Sequence, residues 1–172
     1  MNDAQPDVQL DILSQPRLLT CVRGLVTHLA LRLGFDDGLA GRISLALDEA
    51  LCNVINHGYE RRPDGRIRIT IRTEDGPPAA LHFVIDDEGK SIDPALIRPR
   101  DLDDIRPGGL GVHIIREIMD DVRYEQRPGG GMRLTMSKRQ GHAAHPAACT
   151  SRSDKPSSPN PPPPAAPDGT PQ

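Results

Sequence analysis

The chain has 172 residues, with Lys+Arg 21 against Asp+Glu 24 and a formal net charge of -3, which suits one domain with additions and excludes a strongly basic nucleic-acid binder or a polyacid. Hydrophobic residues make up 36% and prolines number 18, too many prolines for a compact domain unless the excess is confined to one stretch. Nine of those 18 fall beyond position 139, so the folded domain is expected to span 1–139 and residues 140–172 to form a disordered Pro-rich tail that cannot offset its ordering entropy.

The first residues, Met1-Asn2-Asp3-Ala4-Gln5-Pro6, do not read as a signal peptide. No apolar run approaches the roughly 20 residues of a membrane span. A cytoplasmic protein without a membrane partner is expected. Cys21, Cys52 and Cys149 show no C-x-x-C spacing and read as free thiols, the first two as small buried hydrophobes in helices. His142, His145 and Cys149 have metal-compatible spacing, but the tail offers nothing to hold them in tetrahedral geometry.

In chain order, Val8, Leu10 and Ile12 alternate with Gln9, Asp11 and Leu13, the pattern of a short half-buried strand. Pro16 opens a helix over 17–33, with Leu18, Cys21, Val22, Leu25, Val26, Leu29 and Leu33 at three- and four-residue steps and Gly34 as its stop. Asp36 or Asp37 caps a second helix over about 38–57, its packing face formed by Leu39, Ile43, Leu47, Ala50, Leu51, Val54 and Ile55. Ile67, Ile69 and Ile71 predict a one-sided strand after the Pro63-Asp64-Gly65 turn, and 81–85 predicts another. A loop over 91–107 precedes Gly108-Gly109-Leu110-Gly111 and a third helix with Val112, Ile114, Ile115, Ile118 and Met119. Val122 and Tyr124, the 128–131 turn, and Met132, Leu134 and Met136 form a closing hairpin. The order βααββαββ disfavours a parallel doubly wound sheet. It predicts an α+β fold, a mostly antiparallel mixed sheet with helices on one face.

Three short segments look chemical. Glu49 and Asn53, four apart on the second helix, project from one stripe, with His57 a further turn along. A carboxylate and an amide there can meet one ligand, although helices also carry such pairs on solvated faces. Asp86-Asp87-Glu88-Gly89-Lys90-Ser91 places carboxylates at a strand end, where an Asp can accept from an amino group such as that of adenine; a plain Asp/Gly turn is the alternative. Gly108-Gly109-Leu110-Gly111 enters a helix, whose free N–H groups favour phosphate, unless it is simply a hinge. The G-K-[ST] ending of a P-loop and the G-x-G-x-x-G of a dinucleotide fold are both missing.

Taken in order, these segments resemble the GHKL superfamily with its Bergerat ATP-binding fold, a two-layer α/β sandwich. Residues 45–59, with Asp48-Glu49-Ala50-Leu51-Cys52-Asn53 at their centre, look like the N box of the bacterial anti-sigma-factor serine/threonine kinases. Asp87-Glu88-Gly89-Lys90-Ser91-Ile92-Asp93-Pro94, Gly109-Leu110-Gly111 and Ile118-Met119-Asp120 extend the match to about residues 8–139. The resemblance implies ATP and Mg²⁺ as cofactors. It implies Asn53 as the metal ligand, Glu49 as the catalytic base, Asp87 as the reader of adenine and Gly89 as the point of close approach. It further implies Gly108, Gly109, Leu110 and Gly111 as lid and phosphate contacts, His57 and Ser91 as further nucleotide-binding positions, and 91–107 as the ATP lid. Three positions depart from the family pattern. Ser91 stands for a superfamily glycine, Pro107 follows Arg106 before the glycine-rich box, and Gly131-Met132 stands where the family has Gly-Thr.

The function implied is phosphorylation of a STAS-type anti-anti-sigma protein, with a sigma factor as a second partner, no direct nucleic-acid contact and a homodimer as the family's common state. Two alternatives stay open. One is a nonenzymatic ATP-gated binding module; the other is the ATP-binding subunit of a histidine-kinase system, which needs a phosphoacceptor histidine on a long helix pair.

Overall fold

In the computed structural model the described residues are 5–97 and 110–141. The predicted tail beyond 141, the 98–107 part of the predicted lid with Arg106 and Pro107, and Gly108 and Gly109 lie outside them. So do His142, His145 and Cys149.

The elements are β1 (Val8–Leu13), α1 (Leu19–Arg32), α2 (Asp37–Asn53), β2 (Arg66–Glu74), β3 (Ala80–Asp87), α3 (Gly111–Ile118), β4 (Asp121–Gln126) and β5 (Met132–Arg139), in the order that periodicity predicts. One sheet carries the strands as β1-β2-β3-β5-β4, and all four pairings are antiparallel. Along β2 the isoleucines at 67, 69 and 71 are buried, along β3 Leu81, Phe83 and Ile85, and along β5 Leu134 and Met136. Their period of two puts every one on the same side of the sheet. The alternate residues, apart from Ala80 at the start of β3, are half-buried or exposed, as at Arg68, His82 and Arg133. The fold is therefore α+β in two layers, with the helices on one face. Each large side chain so buried contributes about 1.5–3 kcal/mol.

Helix α2 is the centre of the helical layer, packing against both α1 and α3. It starts where Asp36 Oδ1 accepts from Leu39 N at 2.9 Å, a cap worth about 1 kcal/mol. It buries Ala40, Ile43, Ser44, Ala46, Leu47, Ala50 and Leu51. Instead of running straight to residue 57, it ends in a π-helical turn, Val54–Gly58, closed by Tyr59 N donating to Val54 O at 2.9 Å.

On α1 the buried positions are Leu19, Val22, Val26 and Ala30. Cys21 is exposed and Cys52 only half-buried, so neither is the buried hydrophobe that the sequence suggests. Cys21 stands about 100° around the helix from Val22, and the stripe that meets the sheet passes it by. The chain leaves α1 through Gly34, whose φ of +83° suits glycine. Gln140, assigned to the tail by composition, donates from its backbone to Ala79 O at 2.8 Å and from its side chain to the carbonyls of Leu33 and Gly34. Among the described residues no helix is long and apolar enough to cross a membrane.

Candidate functional site

Asp87 continues the buried alternation of β3 at the strand's last position and is 3% exposed. That parity aims its carboxyl between the sheet and the helices. Oδ1 accepts from Gly89 N at 2.8 Å and Met132 N at 3.4 Å. Burial pushes the carboxyl up from its ordinary value, while those two N–H donors and Arg127 pull it back. Among the described residues no hydrogen bond occupies Oδ2.

The turn after Asp87 is stitched to the end of α2. Gly58 O accepts from Lys90 N at 2.9 Å. Tyr59, buried to 3% exposure, accepts Glu88 N at 2.8 Å and donates its hydroxyl to Arg66 O. A β-carbon on Gly89 would stand 2.5 Å from Gly58 O. Glycine is required there by the chain's own backbone, whereas the resemblance attributes it to the approach of a ligand. On the other side of the turn, Arg127 Nη1 donates to Asp87 O and Ser91 Oγ to Gly131 O at 3.2 Å.

Between these pieces lies a cavity of about 350 Å³. Ala50 and Asn53 line it from α2, Val54, His57 and Gly58 from the π turn, and Ile85 and Asp87 from β3. Lys90, Ile92, Leu96 and Ile97 close it from the following segment, which holds one 3-10 turn at Pro94–Leu96. Gly111 and Val112 of α3, Tyr124 of β4, and Met132 and Leu134 of β5 complete it. Its walls are mostly apolar, with a few polar groups converging on them, the usual character of a small-molecule site.

Glu49 stands at the edge of this cavity. A β-carbon on Gly111 would lie 2.8 Å from Glu49 Oε2 and 3.3 Å from Asn53 Nδ2, so the two N-box side chains converge on the first residue of α3. Asn53 Nδ2 is buried with no hydrogen-bond partner among the described residues. Of the sequence-predicted residues, Asn53, His57, Asp87 and Gly111 thus share the cavity, with Glu49 beside them. Ser91 lies in a neighbouring recess with Asn56, Glu60 and Asp93, and Leu110 is the exposed residue preceding α3.

Three participants receive no role in a reading by motif: Tyr59, although it ends the N-box segment, Arg127 and Tyr124. Met132, which the sequence offers as a hairpin residue and as a departure from the family's Gly-Thr, is a wall of the cavity, and its sulfur accepts from Ile92 N at 3.4 Å. Tyr124 Oη is buried and has no partner among the described residues, and burial holds its phenol up at about 12. The signal for Tyr124 was present in its alternation with Val122 on the covered side of the hairpin.

A family described as histidine kinase-like ATPase domain matches residues 12–138. The chain belongs to this family. Within it, the serine/threonine-protein kinase BtrW of Bordetella bronchiseptica is 36% identical over 106 residues, 59% of this chain and 72% of that protein. The anti-sigma F factor of Clostridium botulinum is 32% identical over 101 residues, covering 56% and 68%. The serine-protein kinase RsbW of Bacillus subtilis is 23% identical over 136 residues, covering 74% and 83%. The relatives place the chain in the anti-sigma kinase branch of the histidine kinase-like ATPases, as the three sequence segments suggest.

Proposed function

We propose that this protein is an ATP-dependent serine/threonine kinase that phosphorylates a STAS-type anti-anti-sigma protein and also holds a sigma factor, acting in the cytoplasm. The observation that carries this reading is the convergence of Glu49 and Asn53 on Gly111 at the rim of the cavity that Asp87 closes from the sheet side. In it, Asp87 Oδ2 accepts from the adenine amino group, and the apolar walls enclose the faces of the base. The N–H groups at the start of α3 face the phosphates.

Mg²⁺ fits the site on its donor chemistry. Asn53 is half-buried at the cavity, only its Nδ2 being buried without a partner among the described residues, and its amide oxygen is the hard donor that this ion takes together with phosphate oxygens and water. Among the described residues no group of three or more His, Cys, Asp or Glu forms an all-protein cage. When bound, it would neutralise phosphate charge.

The Glu49 carboxylate, one helical turn from Asn53, accepts the proton of the substrate hydroxyl as that oxygen bonds to the γ-phosphorus. The bond from phosphorus to the β–γ bridging oxygen breaks, and ADP leaves. Positioning and charge neutralisation supply most of the acceleration in such a transfer.

Met132 favours the second reading, a nonenzymatic ATP-gated module, because a thioether and not a hydroxyl lines the cavity at the opening of β5. One experiment separates the two. Protein captured from host lysate with and without Mg-ATP is analysed by intact mass, using the wild type and Glu49→Ala. A small STAS-type partner that gains one phosphate only with the wild type supports the kinase. A partner held in an ATP-dependent way but never modified supports the module. Asn53→Ala should abolish Mg-ATP binding by calorimetry, and unchanged affinity would sink the metal assignment.

A further inference from the structure

Tyr124 sits on the inner side of β4, opposite Leu134 and diagonal to Met132 across the β4–β5 pair, and its side chain lines the cavity. Its hydroxyl is buried and unpartnered among the described residues, although buried tyrosine hydroxyls nearly always find a partner. An isolated buried hydroxyl costs stability. A phenylalanine would fill the same space without that cost, so the free protein gains nothing from the oxygen. With the phenol held up at about 12, the group is a neutral donor at physiological pH. The Asp87 carboxylate, one of the cavity's polar groups along with Asn53, His57 and Lys90, is an acceptor. A purine rim presents both complements, an amino group that donates and ring nitrogens that accept.

We propose that Tyr124 is a specificity-determining residue for the nucleotide, its hydroxyl donating to a ring nitrogen of the purine while Asp87 takes the amino group. This rests on the nucleotide reading of the cavity given above. Asp87 and Tyr124 come from strands separated in the sheet by β5, so the base is gripped from two sides of one apolar slot. A site with a donor and an acceptor so placed rejects a base lacking either complement far more sharply than an apolar slot does, because the unmatched group stays buried without a partner.

The test compares the wild type and Tyr124→Phe by calorimetry with ATP and with 1-deaza-, 3-deaza- and 7-deaza-ATP, each of which replaces one ring nitrogen by C–H. On the wild type, one analogue should bind about three- to tenfold more weakly than ATP, the range for one neutral hydrogen bond. Tyr124→Phe should lose the same factor for ATP and bind that analogue and ATP alike. Without nucleotide, Tyr124→Phe should melt at or above the wild-type temperature. A lower melting temperature means the hydroxyl is already bonded in the free protein and overturns the proposal. Unchanged ATP affinity in Tyr124→Phe overturns it too, as does a loss that no deaza analogue reproduces on the wild type. If the folded wild type binds no ATP, the nucleotide reading of the cavity falls first and this contact with it.

Discussion

The Glu49 carboxylate occupies the space that any side chain on Gly111 would need, with Oε2 2.8 Å from the position of a β-carbon there. Gly111→Ala must therefore push Glu49, and to a lesser degree Asn53, off their positions. The obstacle is the end of a flexible side chain, and alanine is a better helix former than glycine, so the fold should tolerate the change. Phosphoryl transfer should not, since small misplacements of reacting groups cost about 10- to 100-fold. The prediction is a wild-type melting temperature with a transfer rate lowered by that factor, checked by thermal denaturation and a single-turnover assay.

Gly89→Ala meets backbone instead. The added carbon would stand 2.5 Å from Gly58 O, and Gly58 is held by its bond from Lys90 N. Overpacking of this kind costs about 1–3 kcal/mol. Chemical denaturation should show a lower midpoint with an unchanged slope. A variant as stable as the wild type would mean that the Asp87–Gly89 turn slides freely past the end of α2.

Asp87→Asn tests the raised carboxyl. Because burial holds the folded value above the ordinary carboxylate value, the folded state binds this proton more tightly than the unfolded one. The contribution to stability is complete below the unfolded value and is lost as pH rises through the folded one. An asparagine whose amide oxygen keeps the Gly89 and Met132 donors escapes that loss. The difference in melting temperature, variant minus wild type, should therefore grow from pH 4 to pH 7. ATP affinity should fall in the same variant, since an amide NH₂ then faces the adenine amino group.

Ending the chain at Gly141 should leave the melting temperature where the full chain has it. Ending it at Arg139 removes the Gln140 bonds to Ala79, Leu33 and Gly34. At about 1 kcal/mol per net hydrogen bond, the shorter protein should melt several degrees lower, and equal melting of the two would make Gln140 part of the tail.

The element order and the buried face of each strand were legible because period-two and period-3.6 patterns are set by backbone geometry alone. Glu49, Asn53 and Asp87 were legible as well, since each lies in a short local motif. The bonds made by Tyr59 and Arg127 were not. Their partners, Glu88 and Arg66 for one and Asp87 for the other, are brought near only when β2, β3 and the hairpin pair. The exposed Cys21 shows the limit of periodicity, because a helix carrying apolar residues around half its circumference does not announce which of them will meet the sheet. The π turn at Val54–Gly58 has no period of its own, and its sequence continues the α-helical pattern.

The cavity's walls come from both layers, α2 and α3 on one side and β3, β4 and β5 on the other. An occupant therefore acts as a rivet, adding contacts between layers. Its binding free energy is added to the cost of any opening that lifts the helices from the sheet. Amide hydrogen exchange in α2 and in β3 should slow together when nucleotide is added, and by the same factor, although β2, which lies between them in the chain, contributes no residue to the cavity wall. The edge strand β1, which pairs only with β2, should exchange as before.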